Sequence, residues 1–510
     1  MLKENYYTEP TEIDRLVFDK LVPPEHYLRR VKQLIDFTRF RDLLKDCYSP
    51  EMGRIAEDPV RLIQLEFLQF HYNLSDREVI ATAQVNIAFR YFLNLSLESR
   101  WPVPSWLSQF RPRLGVQRHQ ALFDQVVTQA REHGLVHDRL RLKDATHIVA
   151  NIAVPSTLHL VAQTRQRLLE SARPYGPERV AAEEAEAARL RDVTADLSDI
   201  DRLAARVAHL RAIVTWADGV QQTLEARPPQ PETVRTRFEA TLALAHRVLA
   251  DRDHPDAGDQ VRSVVDPDAR CGKHGTYFEG YLLDVLVDAE SELLTALHVL
   301  PGNGEEARDA PPLLGAEEQA QGNDVEALSM DGIGWHGEVL RTLGAPQGLG
   351  VEVYVPPPPL PESPYFQPAQ FTLDARGEVL TCPGGQQTRA KERTPLQSGW
   401  KFTFGRRQCA GCALQTRCIA TLSKYKGRSV IKNDYQAEYD AVRKRAQTAR
   451  YAEVRQQHPR VERRLADIVR YHGGRRCRYW GQWRVQVQYL LTGMVVNVKR
   501  MVKLLCPQPA

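Results

Sequence analysis

Strand-like runs in this chain are few, short and far apart, and that spacing narrows the folds open to it. Leu140 to Val149 is apolar except for Lys143-Asp144 at its centre. Phe278 to Val287 and Glu292 to Leu300 meet at Asp288-Ala289-Glu290-Ser291, as an antiparallel hairpin does. Pro301-Gly302-Asn303-Gly304 ends that hairpin, and a polar, helical stretch leads to Val325 to Met330. Asp331-Gly332-Ile333-Gly334 follows directly, then a helix to about Leu343 and a last strand, Gly350 to Val355, before Pro356 to Pro359. Strand, helical insertion, two strands, helix, strand, helix, strand, second insertion and final helices make an interrupted α/β layout.

Residues 12–135 read as helical throughout. Ile63, Phe67 and Phe70 fall on one face after Pro59, and Leu62, Leu65 and Leu68 widen it. Ser75 and Glu78 form a capping-box pattern, and a further amphipathic segment runs from Ala88 to Leu95. Helix, capped turn, helix suits a DNA-binding helix-turn-helix and a plain helical bundle alike. Between about 156 and 260, Ile200, Leu203, Val207, Leu210, Val214 and Ala217 trace a heptad seam. Pro228-Pro229-Gln230-Pro231 breaks it, and Val234, Phe238, Leu242, Ala245 and Leu249 make a second face, which predicts a helical hairpin or a longer helical run, either intramolecular or a dimerisation arm. Residues 360–435 are Gly-, Thr- and Cys-rich with short strands, and from Asp434 onward the chain reads as helical and basic, finishing in Val485 to Leu505.

With 510 residues, 43% of them hydrophobic and 26% charged, the chain has the balance of a globular protein, not of a disordered or collagen-like one. No apolar stretch is long enough to span a bilayer, and Met1-Leu2-Lys3-Glu4-Asn5 lacks the pattern of an export signal. Eight cysteines are too sparse for a disulfide scaffold. A cytoplasmic location is expected. From Lys401 onward there are 24 Lys+Arg against 6 Asp+Glu, a balance of +18, whereas the first 400 residues carry −14. That asymmetry fits a polyanion held by the C-terminal part, or simply a solvated basic face.

Three carboxylates stand out by position. Asp144 interrupts an apolar strand, Asp331 sits where a strand meets a glycine turn, and Glu462 lies on a helix in Val461-Glu462-Arg463-Arg464, the most basic part of the chain. Singly, each has an ordinary explanation: an ion pair with Lys143 or an arginine, a helix cap, half of an Arg pair. Together they suit divalent cations, since three convergent carboxylates can hold two Mg²⁺ ions roughly 3.5–4 Å apart, one activating a water or 3′-hydroxyl and one stabilising the leaving oxygen.

The stretches Lys143-Asp144-Ala145-Thr146-His147, Ser329-Met330-Asp331-Gly332-Ile333-Gly334-Trp335 and Val461-Glu462-Arg463-Arg464 resemble the three acidic motifs of bacterial insertion-sequence DDE transposases. Asp266-Pro267-Asp268-Ala269, Gly280-Tyr281, Pro301-Gly302-Asn303, Arg475-Arg476-Cys477-Arg478-Tyr479-Trp480-Gly481 and Asn497-Val498-Lys499-Arg500 add to the resemblance. So do Pro59, Leu74-Ser75-Asp76-Arg77-Glu78, Phe89-Arg90-Tyr91-Phe92-Leu93 and Phe110-Arg111, which resemble the family's N-terminal helical domain. The likeness covers most of the chain outside about 156–260. It implies an RNase H-like core with Asp144, Asp331 and Glu462 as catalytic ligands of two Mg²⁺ (or Mn²⁺) ions. The chain departs from the family pattern in an extra residue before Gly334, in Trp335 for tyrosine, and in Val469, with Arg470 beside it, where a lysine commonly follows the glutamate. A tyrosine and an arginine that precede the glutamate have no clean match.

Cys382, Cys409, Cys412 and Cys418 have the spacing of a tetrahedral structural zinc site, with free thiols as the alternative; four thiolates leave no position for catalysis. Cys47, Cys271, Cys477 and Cys506 are scattered and read as ordinary residues. The tail offers Arg470, Arg475, Arg476, Arg478, Arg484, Lys499 and Arg500 for phosphates, and Trp480 for stacking on a frayed base, unless Trp480 and Trp483 are core residues. His147 and His336 read as packing or outer groups of the site.

The expected fold is therefore an α/β RNase H-like core (mixed sheet with helices) with an all-α N-terminal domain, an α-helical insertion and a small β-rich zinc-binding insertion. Its expected division is 1–135 helical DNA-binding, 138–155 core, 156–262 helical hairpin insertion, 263–358 core, 359–435 zinc-ribbon-like insertion, and 436–510 core with basic C-terminal helices. The function this implies is Mg²⁺-dependent cleavage and strand transfer of an insertion sequence. The partners would be double-stranded DNA of the terminal inverted repeats and of the target, with a homodimer on DNA, no membrane, and a nucleoid-associated location. An inactive transposase-derived DNA-binding protein and an RNase H-like nuclease without strand transfer are the alternatives.

Overall fold

The structure is a computed structural model and describes residues 2, 6, 10–49, 51–53, 55–99, 103–255, 258–359, 362–394 and 398–506. Of the opening Met1-Leu2-Lys3-Glu4-Asn5, only Leu2 is among them. In chain order α1 (Glu12–Leu21), α2 (Tyr27–Leu34), α3 (Arg39–Leu43), α4 (Pro59–His71), α5 (Asp76–Val85), α6 (Ile87–Phe92) and α7 (Ser105–Glu132) come first. Asp58 caps α4, and every residue from Leu62 to Phe70 is buried, so the helix is enclosed on all sides and not on one face only. Arg111 of α7 reaches into it, donating to Glu66 (3.0 Å) and Gln69 (2.6 Å) of this helix and to Asp76 of α5 (2.9 Å). The capping box opening α5 forms as its sequence predicts: Ser75 N–H donates to Glu78 at 2.8 Å, and Glu78 N–H to Ser75 Oγ at 3.2 Å.

β1 (Arg141–Val149) leads into α8 (Thr157–Ala172), α9 (Pro177–Val193), α10 (Asp199–Gln222) and α11 (Glu232–Asp253). The helical run is the longer of the expected forms, with four helices. Pro174 follows the end of α8, Gly176-Pro177 starts α9, and Ser198 caps α10 through Asp201 N–H, so the stretch breaks twice before the prolines. Leu210, Val214 and Ala217 of the heptad seam are buried against Phe238, Leu242 and Ala245, while Ile200 is 80% exposed because the seam runs off the end of the bundle.

Next come β2 (Arg270–His274), β3 (Thr276–Asp288), β4 (Leu294–Pro301), α12 (Glu306–Gln321), β5 (Ala327–Ser329), α13 (Gly337–Gly344) and β6 (Glu352–Tyr354). The Cys-rich stretch holds β7 (Thr372–Leu373), β8 (Leu380–Thr381), β9 (Gln387–Thr388), β10 (Lys391–Thr394), β11 (Gly399–Gly405), α14 (Arg406–Cys409) and β12 (Lys426–Asn433). α15 (Gln436–Arg445), α16 (Ala449–Gln457), α17 (Pro459–Tyr471) and α18 (Gln482–Leu505) complete the chain.

Two compact units result: Met1–Val136, Ala145–Glu306 and Glu462–Ala510 form the first, His137–Asp144 and Ala307–Val461 the second. In the first, β3 pairs antiparallel with β2 and β4. Its other edge lies along the second half of β1, where a Cβ on Gly280 would stand 1.9 Å from Ile148 O, so only glycine fits. The buried helix α18 serves β4: Gln486 accepts from Val299 N–H (2.7 Å), and Asn497 accepts from Leu294 N–H and donates to Leu294 O (2.8 Å each). Asp266 fixes the start of that helix, accepting from Tyr281 Oη (2.6 Å) and Gly481 N–H (3.0 Å).

In the second unit the first half of β1 runs parallel to β5, and β5 parallel to β6. Arg141, fully buried, is neutralised by Glu317 at 2.7 Å. β7-β8-β9 and β10-β11-β12 are two small antiparallel sheets around Phe366, Phe371, Leu380, Phe402, Phe404 and Val430. No helix among the described residues is long and apolar enough to cross a membrane.

Candidate active site

Parallel pairing of β1 and β5 sets Arg141 against Leu328 and Leu142 against Ser329. Asp144 lies two residues beyond Leu142 within β1, and Asp331 two residues beyond Ser329, in the turn just past the end of β5. Strand periodicity gives Asp144 the face of Leu142. Asp331 keeps an extended backbone (φ −74°, ψ −171°), and its carboxylate accepts from Ile333 N–H at 3.1 Å, closing the turn Gly332–Gly334. That turn takes up the extra residue of the motif, and Trp335 then stacks on Tyr439 (4.7 Å, 22°) with the Arg443 guanidinium 5.0 Å from its ring.

The end of β5 is fixed from α16 and the residue after it. Arg455 donates to Met330 O (2.7 Å) and Ser329 Oγ (3.2 Å), and His458 Nδ1 lies 3.1 Å from Ser329 Oγ. Burial, aided by the Arg455 charge, holds the His458 imidazole down at about 4, so it is neutral near pH 7. Sequence reasoning missed both residues. Their only signal is their place just before Glu462, where the family pattern had no clean match.

Glu462 falls in the first unit, exposed, in the first turn of α17. Its neighbours Arg463 and Arg464 are held by Glu292, a left-handed residue (φ 62°) at the β3–β4 turn, at 2.8 and 3.4 Å. Burial alone would raise the Glu292 carboxyl, but hydrogen bonding to Arg463 and the charges of Arg500, Arg464 and Arg463 prevail and lower it. The structure therefore pairs two of the three predicted acids in one unit and carries the third in the other. Among the described residues no group of three or more His, Cys, Asp or Glu side chains stands ready to hold a metal ion. His147 packs between His274 (5.2 Å) and Phe278 (5.1 Å), its pKa lowered by burial and by the charges of Arg475 and His274.

The four cysteines of the predicted zinc site are free thiols lining one cavity of about 20 Å³ together with Phe371, Phe404 and Arg428. Arg428 N–H donates to Cys409 Sγ at 3.5 Å, and glycine is required at 427, where a Cβ would lie 2.5 Å from that sulfur. Burial raises the Cys418 thiol; Arg428 opposes this, and Cys409, Cys382 and Cys412 add to it, so the thiols crowd one another.

The basic tail divides into spent and available groups. Arg475 donates to His147 O (2.6 Å), Arg500 to Ser291 O (2.7 Å), and Arg478 to Leu74 O (2.9 Å) while lying over Phe70. Arg470, Arg476, Arg484 and Lys499 are exposed. Trp480 and Trp483 are 49% and 38% exposed and so are not core residues; the Trp480 indole N–H donates to Asn151 O at 3.0 Å, and Arg484 stacks over Trp483.

Residues 16–113 match the model of a family described as a transposase domain (DUF772), and residues 381–502 match that of a transposase DDE domain. The second match includes the four cysteines, Glu462 and the basic tail, but neither Asp144 nor Asp331. No curated protein and no solved structure matches the chain.

Proposed function

The chain belongs to the insertion-sequence DDE transposases, and from that premise we propose that it cuts and joins DNA with Asp144, Asp331 and Glu462 as its catalytic carboxylates and an RNase H-like core. The observation that carries this reading is the parallel pairing of β1, which holds Asp144, with β5, whose C-terminal end leads directly into the turn bearing Asp331, a place where α/β sheets present functional groups. The family implies a divalent metal such as Mg²⁺, and the donor set fits it, since hard cations take carboxylate oxygens and keep room for water and phosphate. Bound there, two such ions would supply an activated water or 3′-hydroxyl and neutralise charge on the leaving oxygen. Arg455 and His458 position the Asp331 strand end, and Glu292 orients the first turn of α17 through Arg463 and Arg464. Arg470, Arg476, Arg484 and Lys499 hold the phosphate backbone of double-stranded DNA, and Trp480 offers a stacking surface. Cys382, Cys409, Cys412 and Cys418 would hold a structural Zn²⁺, whose charge would relieve the crowding of the thiols.

The test is cleavage of a labelled duplex carrying the element's end, with Mg²⁺. Asp144→Asn, Asp331→Asn and Glu462→Gln should each lower cleavage by at least about 100-fold while end binding persists. Wild-type rates in any of them remove that residue from the site. A wild-type chain that binds ends and never cuts them overturns the catalytic reading in favour of a DNA-binding protein derived from a transposase.

A further inference from the structure

The four-helix insertion carries a group of arginines that the function above leaves unused. Arg165 on α8 is half-buried, and the charges that act on it are those of Arg206 on α10 and Arg191 near the end of α9, both cations. Arginines close to them in sequence have an acid: Arg173 pairs with Glu184, Arg179 with Glu183, Arg189 with Glu186 and Arg202 with Asp199, while Arg167 donates to Val264 O. The three clustered ones make no ion pair among the described residues. Arg165 Nη1 stands 3.5 Å from His209 Nδ1, Arg206 donates to Leu158 O at 3.1 Å, and His209 Nε2 is engaged with Glu183 at 2.7 Å. Like charges gathered and partly dehydrated are unfavourable unless an anion joins them. Nothing in the insertion's own chemistry supplies that anion.

Position says which anion. The mostly exposed segment 151–156 leaves β1 and enters α8. At its start Trp480 donates to Asn151 O; just past its end Arg206 donates to Leu158 O. Seven residues span at most about 25 Å, less than the ~34 Å of one turn of B-form DNA. The two anchoring contacts are therefore closer together than one turn of a duplex is long. Resting on the transposase reading for the identity of the polyanion, we propose that Arg165, Arg191 and Arg206 bind the phosphate backbone of duplex DNA, continuing along the helical insertion the track begun by the C-terminal tail. The insertion is then a second DNA-holding surface.

Its test is the salt dependence of duplex binding by the full-length chain, with a labelled element end and a scrambled duplex of equal length. Each phosphate contact contributes about 0.9 to the slope of log affinity against log salt. Arg191→Ala, at an exposed position, should lower the slope by about 1 and weaken both duplexes alike, with an unchanged thermal midpoint. The triple change Arg165→Gln, Arg191→Gln, Arg206→Gln should lower it by about 3, and Arg165→Lys should keep it. Wild-type slopes in both Arg191→Ala and the triple variant overturn the inference, as does a wild-type chain that binds neither duplex. Cleavage separates this from the catalytic reading: arginine-dependent slopes without Mg²⁺-dependent cutting uphold the track and sink the catalysis. Normal cutting with insensitive slopes does the reverse.

Discussion

Asp331 carries two duties on one carboxylate. It caps the turn Gly332–Gly334 through Ile333 N–H, and it is proposed to act with Asp144, whose strand pairs with the one leading to that turn. Asparagine caps about as well as aspartate, so loss of cleavage in Asp331→Asn reports on chemistry and not on folding. A different residue carries stability in the same unit. Arg141 is fully buried between Glu317, also buried, and the partly exposed Asp138, so removing Glu317 takes away one of its two acids. Glu317→Gln should cost about 1–3 kcal/mol, read as an earlier urea midpoint; an unchanged midpoint would show that Asp138 alone suffices for the charge. The two kinds of residue differed in legibility. Asp144 and Asp331 could be picked out because a carboxylate in an apolar strand or before a glycine turn is locally odd. Arg455 and His458 could not, because their partners Ser329 and Met330 lie more than a hundred positions away and only the folded strand end brings them together.

At the scale of elements, local chemistry set the boundaries and packing set the environment. The capping box at Ser75 and Glu78 formed because both of its bonds lie within one turn. α4 departed from its expected one-sided burial because Arg111 arrives from α7 to satisfy Glu66 and Gln69, which lets polar positions go inside. The same helix bears an acid-sensitive contact. His71 stacks on Tyr27 at 4.6 Å, and burial, with the charges of Lys499 and His472, holds it at about 3. His472 is held at about 4, again chiefly by burial and by Lys499. Both are neutral when folded and take up protons once unfolded, so the unfolded chain binds more protons below about pH 6.5 and stability falls from there downward. His472 alone should contribute a loss of about 3 kcal/mol by pH 4. Thermal midpoints measured from pH 7 to 4 should fall, and more shallowly in His472→Asn; equal slopes in the two proteins would mean the imidazole is protonated in the fold.

Across the whole molecule, the balance of +18 after Lys401 against −14 before it overstates the charge on offer. Arg475, Arg478 and Arg500 are spent on backbone carbonyls, and Arg463 and Arg464 on Glu292. Enough exposed arginine and lysine remains that binding of duplex DNA should be governed by counterion release. Contact with six or more phosphates implies a drop in affinity of about 10³ or more between 50 and 200 mM salt. A drop below tenfold would mean that the tail's charges do not reach the DNA.

Sequence alone was enough to single out the three acids, the four cysteines and the basic tail as candidates, and to place most strands and helices, because each depends on residue type and on neighbours within a few positions. The tertiary structure decided what depends on distant partners. It added β2, made four helices of the expected hairpin or longer helical run, turned Trp480 and Trp483 outward, divided the arginines into spent and available ones, and paired the strand of Asp144 with the one leading to Asp331 in a register that no local pattern encodes. Register and burial are settled by which surfaces meet, and a linear pattern records only which surfaces exist.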